Sequence, residues 1–244
     1  MALTIKQRIL EKINDIPTEG SLDELTSFLN SFNNNLWKVA NLLPPEELMT
    51  RSRTPDIVTT PNSTIEDKDM ADRIILRVDK LDKVTDGDNP TYRPVTEIEE
   101  HQSHKTKETG SIYEASAYSP VYWFESTHDS STEAKTIQFH PDITDEEDQV
   151  KIYTYKKQVW DYTTEDFDLD TSTKIRMFPN KAEEAVILLT AVDLLKNLMA
   201  LRAIEDEDAD VVQMITAQIQ SLEASMNKEM EFIRPDIKGP EGAR

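Results

Sequence analysis

Apolar positions near the start of the chain recur at helical spacing. Ile5, Ile9 and Ile13 lie four residues apart behind Thr4, predicting a short amphipathic helix that Pro17 and Gly20 break. Ser21 followed by Glu24 has the form of a capping box. Behind it Leu22, Leu25, Phe28, Phe32, Leu36, Val39 and Leu43 keep a three-to-four spacing, predicting a long helix that Pro44-Pro45 ends. At the other end, residues 180–234 contain neither Gly nor Pro. Asn180 with Glu183, directly after Phe178-Pro179, predicts a capped helix start there. The helix that follows is apolar nearly all round, with only a narrow polar stripe through Thr190, Asp193 and Asn197. Such a helix must be covered on several sides, by a third helix of the same chain or by a neighbouring subunit. A last helix begins near Asp206, with Ile215, Ile219, Leu222, Met226, Met230 and Ile233 on one face. Its acidic start, Glu205 to Asp210, suits the positive end of a helix dipole.

The middle of the chain has the other period. Alternating runs at 74–78, 115–118, 121–126, 136–139 and 150–155 predict strands, and Asp86-Gly87-Asp88-Asn89-Pro90 predicts a turn. Thr96 with Glu99 fits the start of a short helix over 97–103. Segments 53–70 and 161–174 are polar and without periodicity, so they read as long surface loops or arms. Residue usage shifts at the same places. Nine leucines lie in residues 1–49 and seven in 180–244, but only Leu76, Leu81 and Leu169 lie between; all seven tyrosines fall between Tyr92 and Tyr162. Leucine favours helices, and aromatic and β-branched residues favour strands. The expected class is α+β: a helical bundle from the N- and C-terminal segments with an inserted antiparallel β-rich domain. The corresponding divisions are 1–52, 53–177, 178–234 and a C-terminal tail, 235–244.

Composition removes most chemistry. The 244 residues carry 27 Lys+Arg against 47 Asp+Glu, a net charge of −20, with Lys156-Lys157 the longest basic run. That argues against a grip on duplex phosphates, which needs clustered cations. There is no cysteine, so no disulfide, thiolate metal site or thiol nucleophile. Five scattered glycines cannot build a phosphate-cradling loop or a nucleophile elbow. The N-terminus lacks the apolar stretch of a signal peptide, and the most apolar run, 185–201, is broken by Asp193 and Lys196, so no membrane span is expected.

The remaining candidates weigh towards the bland reading. His101 and His104 could meet on one helix face, but zinc wants three or four convergent ligands, and His128 and His140 lie in separate segments. Asp82 to Arg93 has the Asp86-Gly87 of a calcium loop but carries Val84 and Arg93 where ligands belong. The acidic clusters at 142–148 and 161–170 lie in polar sequence, without the apolar setting that separates catalytic carboxylates. Neither a cofactor, a metal nor catalysis is expected. Tyr113, Tyr118, Tyr122, Trp123 and Phe124 would serve as a carbohydrate- or receptor-binding platform, or as strand packing.

The order of elements resembles the head-to-tail connector (adaptor, or neck) proteins of tailed bacteriophages. The motifs that carry the likeness are Tyr92-Arg93-Pro94-Val95 before Ser111-Ile112-Tyr113-Glu114-Ala115 and Tyr118-Ser119-Pro120-Val121-Tyr122. Thr136-Ile137-Gln138-Phe139-His140-Pro141 follows, leading to Lys151-Ile152-Tyr153-Thr154-Tyr155. Last comes Phe178-Pro179-Asn180-Lys181-Ala182-Glu183-Glu184-Ala185-Val186-Ile187-Leu188-Leu189, with an acidic-capped helix behind it. The resemblance implies a structural, non-enzymatic virion protein, assembled in the host bacterial cytoplasm, whose copies form a ring, commonly of twelve. That ring joins portal to tail or further neck proteins and extends the channel, where like charge lets DNA pass without adhering. Ile233, Pro235, Ile237, Tyr122 and Trp123 are the expected partner contacts, the last two also serving the alternative reading as a receptor-binding module.

Overall fold

A computed structural model describes residues 2–13, 25–49, 56–58, 64–67, 73–81, 92–111, 114–116, 119–129, 132–141, 150–161, 168–204 and 209–233. In chain order these form α1 (Ile5–Ile13), α2 (Leu25–Ala40), α3 (Pro45–Met49), β1 (Asp56–Val58), β2 (Thr64–Asp67), β3 (Arg73–Leu81) and β4 (Tyr92–Pro94). Then come β5 (Thr96–Glu97), a 3₁₀ turn (Glu100–Gln102), α4 (Ser103–Thr106), β6 (Val121–Asp129), β7 (Thr132–His140), β8 (Val150–Lys156), α5 (Asn180–Ile204) and α6 (Ala209–Ile233). The fold is α+β, with helices at both ends of the chain. It divides into a helical unit, Met1–Arg51 with Gln158–Arg244, and a β unit, Ser52–Lys157. The expected capping box at Ser21, the turn at 86–90, the acidic loop 142–148 and the tail 235–244 lie outside the described residues.

In the helical unit, α1 starts on a reciprocal cap. Thr4 Oγ1 accepts from the Gln7 backbone at 3.2 Å, and Gln7 Oε1 accepts from the Thr4 backbone at 3.0 Å. Its apolar stripe, Ile5, Ile9 and Ile13, is fully buried. The helix α5 is the axis on which α1, α2 and α6 all pack, which is why it is apolar nearly all round. Of the two covers that the sequence leaves open, the unit supplies the intramolecular one. The expected polar stripe of α5 is only partly real. Thr190 is fully buried and donates to the Val186 carbonyl at 2.7 Å, whereas Asp193 accepts from Asn35 Nδ2 at 2.8 Å. Along α6, Ile215, Ile219, Leu222 and Ile233 form the buried seam of a hairpin with α5. Lys196 pairs with Glu223 across that hairpin at 2.8 Å, and Gln218 Nε2 donates to the Lys12 carbonyl, closing the end of α1.

The segment after the β unit belongs to this core, so the boundary lies at 157 rather than 177. Trp160, Leu169, Ile175 and Phe178 are all buried. Trp160 stands edge-on to Phe32 with centroids 5.8 Å apart, and its backbone N–H and C=O are both bonded by the Asn33 amide, at 2.8 and 3.0 Å. Downstream, Asp168 organises a turn by accepting from the Asp170 backbone and the Thr171 hydroxyl. The Ser172 and Leu169 carbonyls accept from the Ile5 and Lys6 N–H groups, so the turn caps α1. The described part of 161–174 is therefore a clasp, not a free arm. Glu183, read as the partner of the Asn180 cap, points elsewhere. Its Oε1 accepts from the Ile175 backbone at 3.0 Å and its Oε2 from Arg8 at 3.2 Å.

The β unit is a sandwich of two four-stranded sheets, ordered β1-β8-β3-β4 and β2-β7-β6-β5. All pairings are antiparallel except β5 with β6. β4 and β5 are one extended run that changes sheets at Val95, whose N–H still bonds the Val78 carbonyl while Thr96 bonds Pro120. Val78, Val150 and Ile152 from the first sheet meet Tyr122, Ile137 and Phe139 from the second, with Val95 between them. β1 and β2 fall within 53–70, which the sequence assigns to loops. Both are short edge strands whose pairing is supplied by β8 and β7. Of the run at 115–118, Ala115 and Ser116 are described and lie outside the named strands; Ser116 and Ser119 form an isolated bridge.

Candidate functional site

Strand alternation decides where the expected contacts point. Adjacent residues on β6 face opposite sides of the sheet, and here both sides are covered. Tyr122 is 5% exposed within the sandwich, edge-on to Phe124 at 5.9 Å. Trp123 is also 5% exposed, on the other face, packed with Ala115, Val121 and Ile98 beneath Lys107 Nζ at 5.3 Å. Neither offers a ring face to a sugar or a receptor, which corrects the expectation that they are partner contacts. Ile233 is corrected likewise: it is 1% exposed and closes the α6 seam. Its neighbour Phe232 is 78% exposed, and Met214 on the same helix is half exposed. A large aromatic one step off an otherwise regular apolar seam was the sequence signal for it. Pro235 and Ile237 lie outside the described residues.

The Tyr122 hydroxyl donates to Glu97 Oε2 at 3.0 Å. Burial, then the Glu97 charge and this hydrogen bond, hold its pKa well above the ordinary tyrosine value. Burial alone does the same for Tyr155, whose hydroxyl has no partner among the described residues. Both hydroxyls stay protonated in the fold while an unfolded chain ionises near pH ~10. A raised folded pKa gives stability that is complete below pH ~10 and is lost as pH rises beyond it. Alkaline titration followed by circular dichroism is therefore expected to unfold the β unit progressively above pH ~10. Tyr155→Phe should weaken that dependence and leave neutral-pH stability equal or higher, because it removes an unpaired buried hydroxyl. An unchanged alkaline limb in this variant would contradict the assignment.

One open cleft of about 560 Å³ on the β unit is lined by Glu97, Ile98, Glu99, Glu100 and Phe124. Its three carboxylates sit on an exposed rim, and the described lining holds no Ser, Thr, Lys or His to serve as a nucleophile or its base. His101 Nδ1 lies 3.1 Å from Glu99, both side chains mostly exposed, and His104 is likewise exposed. Among the described residues no three His, Asp or Glu side chains converge on a point that could hold a metal. The strongest charge cluster is structural. Arg8 reaches Glu183 and Glu184, and Lys12 holds Glu184 at 2.6 Å. Burial opposes ionisation of Glu184, but Lys12 and then Arg8 outweigh it and keep its pKa below the ordinary value. Lys181 and Glu47 tie α5 to α3. No described helix is long and apolar enough to cross a membrane. No family model and no curated protein matches the chain.

Proposed function

We propose that this chain is a structural subunit of the neck of a tailed bacteriophage, a ring that joins portal to tail and continues the DNA channel. The observation that carries the reading is the element order. A bundle drawn from both ends of the chain, α1 to α3 with α5 and α6, is interrupted in sequence by a β-sandwich. This is the order in which the connector-like motifs occur. The surplus of 20 negative charges supports it, since a like-charged wall repels DNA at short range and lets it slide. Partners on this reading are further copies of the chain, the portal, and tail or further neck proteins, within the virion. With α1, α2 and α6 already covering α5, subunit contacts would use the outer surfaces of the units rather than that helix. Electron micrographs of the chain incubated with portal rings are expected to show ring-shaped top views coaxial with the portal. Portal rings that remain bare at saturating protein would refute the proposal.

A further inference from the structure

Strand β6 is paired along one side and open along most of the other. Its register with β7 runs unbroken from Val121↔His140 to Asp129↔Thr132. On the opposite side β5 reaches only Val121 and Tyr122. The last backbone bond there runs from the Ile98 N–H to the Tyr122 carbonyl at 2.9 Å. Backbone groups alternate sides along a strand of an antiparallel pair. The Tyr122 carbonyl points away from β7, so the N–H and C=O groups of Phe124, Ser126 and His128 point away from it as well. Among the described residues no backbone group pairs with them on that side. Natural sheets guard such an edge with Pro, Lys or a bulge. Residues 123–129 contain neither Pro nor Lys, and the register holds no bulge. The edge strand β4, by contrast, has three residues and carries Pro94.

The open cleft of the β unit lies at the start of this edge, where β5 gives way to the 3₁₀ turn, with Phe124 in its lining. The Tyr122 hydroxyl takes one oxygen of Glu97, and His101 lies against one oxygen of Glu99. Among the described residues no Lys or Arg pairs with Glu97, Glu99 or Glu100. We infer that the edge from Phe124 to His128 takes up an extended basic segment of a partner protein as an added strand, with a Lys or Arg seated in the cleft. Backbone pairing supplies the grip, and the carboxylates select the partner. A second copy of the chain is disfavoured, since it brings the same three carboxylates and a net charge of −20. Antiparallel pairing is the more stable per residue. It runs the incoming strand from Asp129 towards Tyr122, so the basic side chain sits near that strand's C-terminal end. The six positions from Phe124 to Asp129 give the added strand roughly 20 Å of edge. The inference rests on the β unit alone and does not depend on the neck reading.

Hydrogen exchange of the full-length protein reads the edge directly. In the free protein the amides of Phe124, Ser126 and His128 should exchange fast, and those of Trp123, Glu125 and Thr127 slowly, because only the second set bonds β7. The probe is the peptide acetyl-Thr-Val-Thr-Val-Lys-Thr-Lys-amide, titrated to about 1 mM because ordering a free peptide keeps its affinity modest. It should slow the first set of amides and leave the second unchanged. Methylating one alternate set of peptide amides should abolish binding and methylating the other should be tolerated, since only one set faces β6. Ser126→Pro removes an outward N–H and costs β7 no bond. It should weaken the peptide about tenfold or more at an unchanged melting temperature. Should that variant melt lower, the two methylated peptides still decide. Glutamate in place of both lysines should abolish binding, and Glu100→Lys should weaken the lysine peptide. Slow exchange of Phe124, Ser126 and His128 in the free protein, no binding of the lysine peptide, or equal binding of the glutamate peptide would each overturn the inference. So would equal binding of the two methylated peptides, or a well-folded S126P that binds as the wild type does. A concentration-dependent dimer that protects the same three amides would overturn the choice of a basic partner in favour of a second copy.

Discussion

Replacing Trp160 by alanine is expected to cost the helical unit about 3–5 kcal/mol, the range for deleting a fully buried large aromatic. Trp160 is 1% exposed and fills the space beside Phe32, so the lost ring leaves a cavity rather than a surface. A domain of ordinary stability has roughly 5–15 kcal/mol in hand, so the variant should be close to unfolding. For a unit of this size the melting temperature should fall by about 10 °C or more, followed by ellipticity at the helical band. Asn33→Ala should show a smaller loss at the same site. That amide holds both backbone groups of Trp160, and its removal leaves them to find water. A W160A variant melting within a degree or two of wild type would mean that Trp160 is not part of the core.

Arg8→Ala is the second large effect, because it strands a carboxylate. Glu183 is 5% exposed and its charge is answered by Arg8 at 3.2 Å and by the Ile175 N–H at 3.0 Å. Removing one partner of a buried ion pair costs roughly 3–5 kcal/mol, since the remaining charge stays out of water. Arg8 is itself a quarter exposed, which places the expected loss at the lower end of that range. Glu184 suffers less, because Lys12 still holds its other oxygen. The diagnostic is the second substitution. Glu183→Gln in the R8A background removes the stranded charge and keeps an acceptor for Ile175, so the double variant should be more stable than R8A in urea denaturation. If it is less stable, the cost of R8A is lost packing and not lost charge.

Long periodic elements were legible and short anchored ones were not. The spacing of Ile5, Ile9 and Ile13, and of Ile215, Ile219 and Leu222, identifies buried helix faces because a helix needs several turns of apolar repeat to pack. The class, α+β with a β insertion, follows from those runs and from the alternation along 74–78, 121–126 and 150–155. Trp160, Leu169 and Ile175 behave differently. None of them belongs to a periodic run, and an isolated anchor has no period to detect, so 161–174 reads as loop although its described part clasps α1. β1 and β2 escape for a related reason: three or four residues at a sheet edge take their structure from the partner strand. On β6 the alternation was visible, but not that Ile98, Lys107 and Ala115 cover the outer face and bury Trp123, while the sandwich interior buries Tyr122. At the end of α6 the seam was identified, and with it Ile233. The surface it leaves exposed, Met214 and Phe232, is what remains once the seam is subtracted.

The neck proposal is tested most directly by weighing what forms when the chain is mixed with portal and tail components of a tailed bacteriophage. Native mass spectrometry should find the chain added as a fixed whole-number multiple of 28.0 kDa, twelve copies being the number the connector likeness implies. A chain that stays monomeric or dimeric and adds no mass to any of these components would contradict the account.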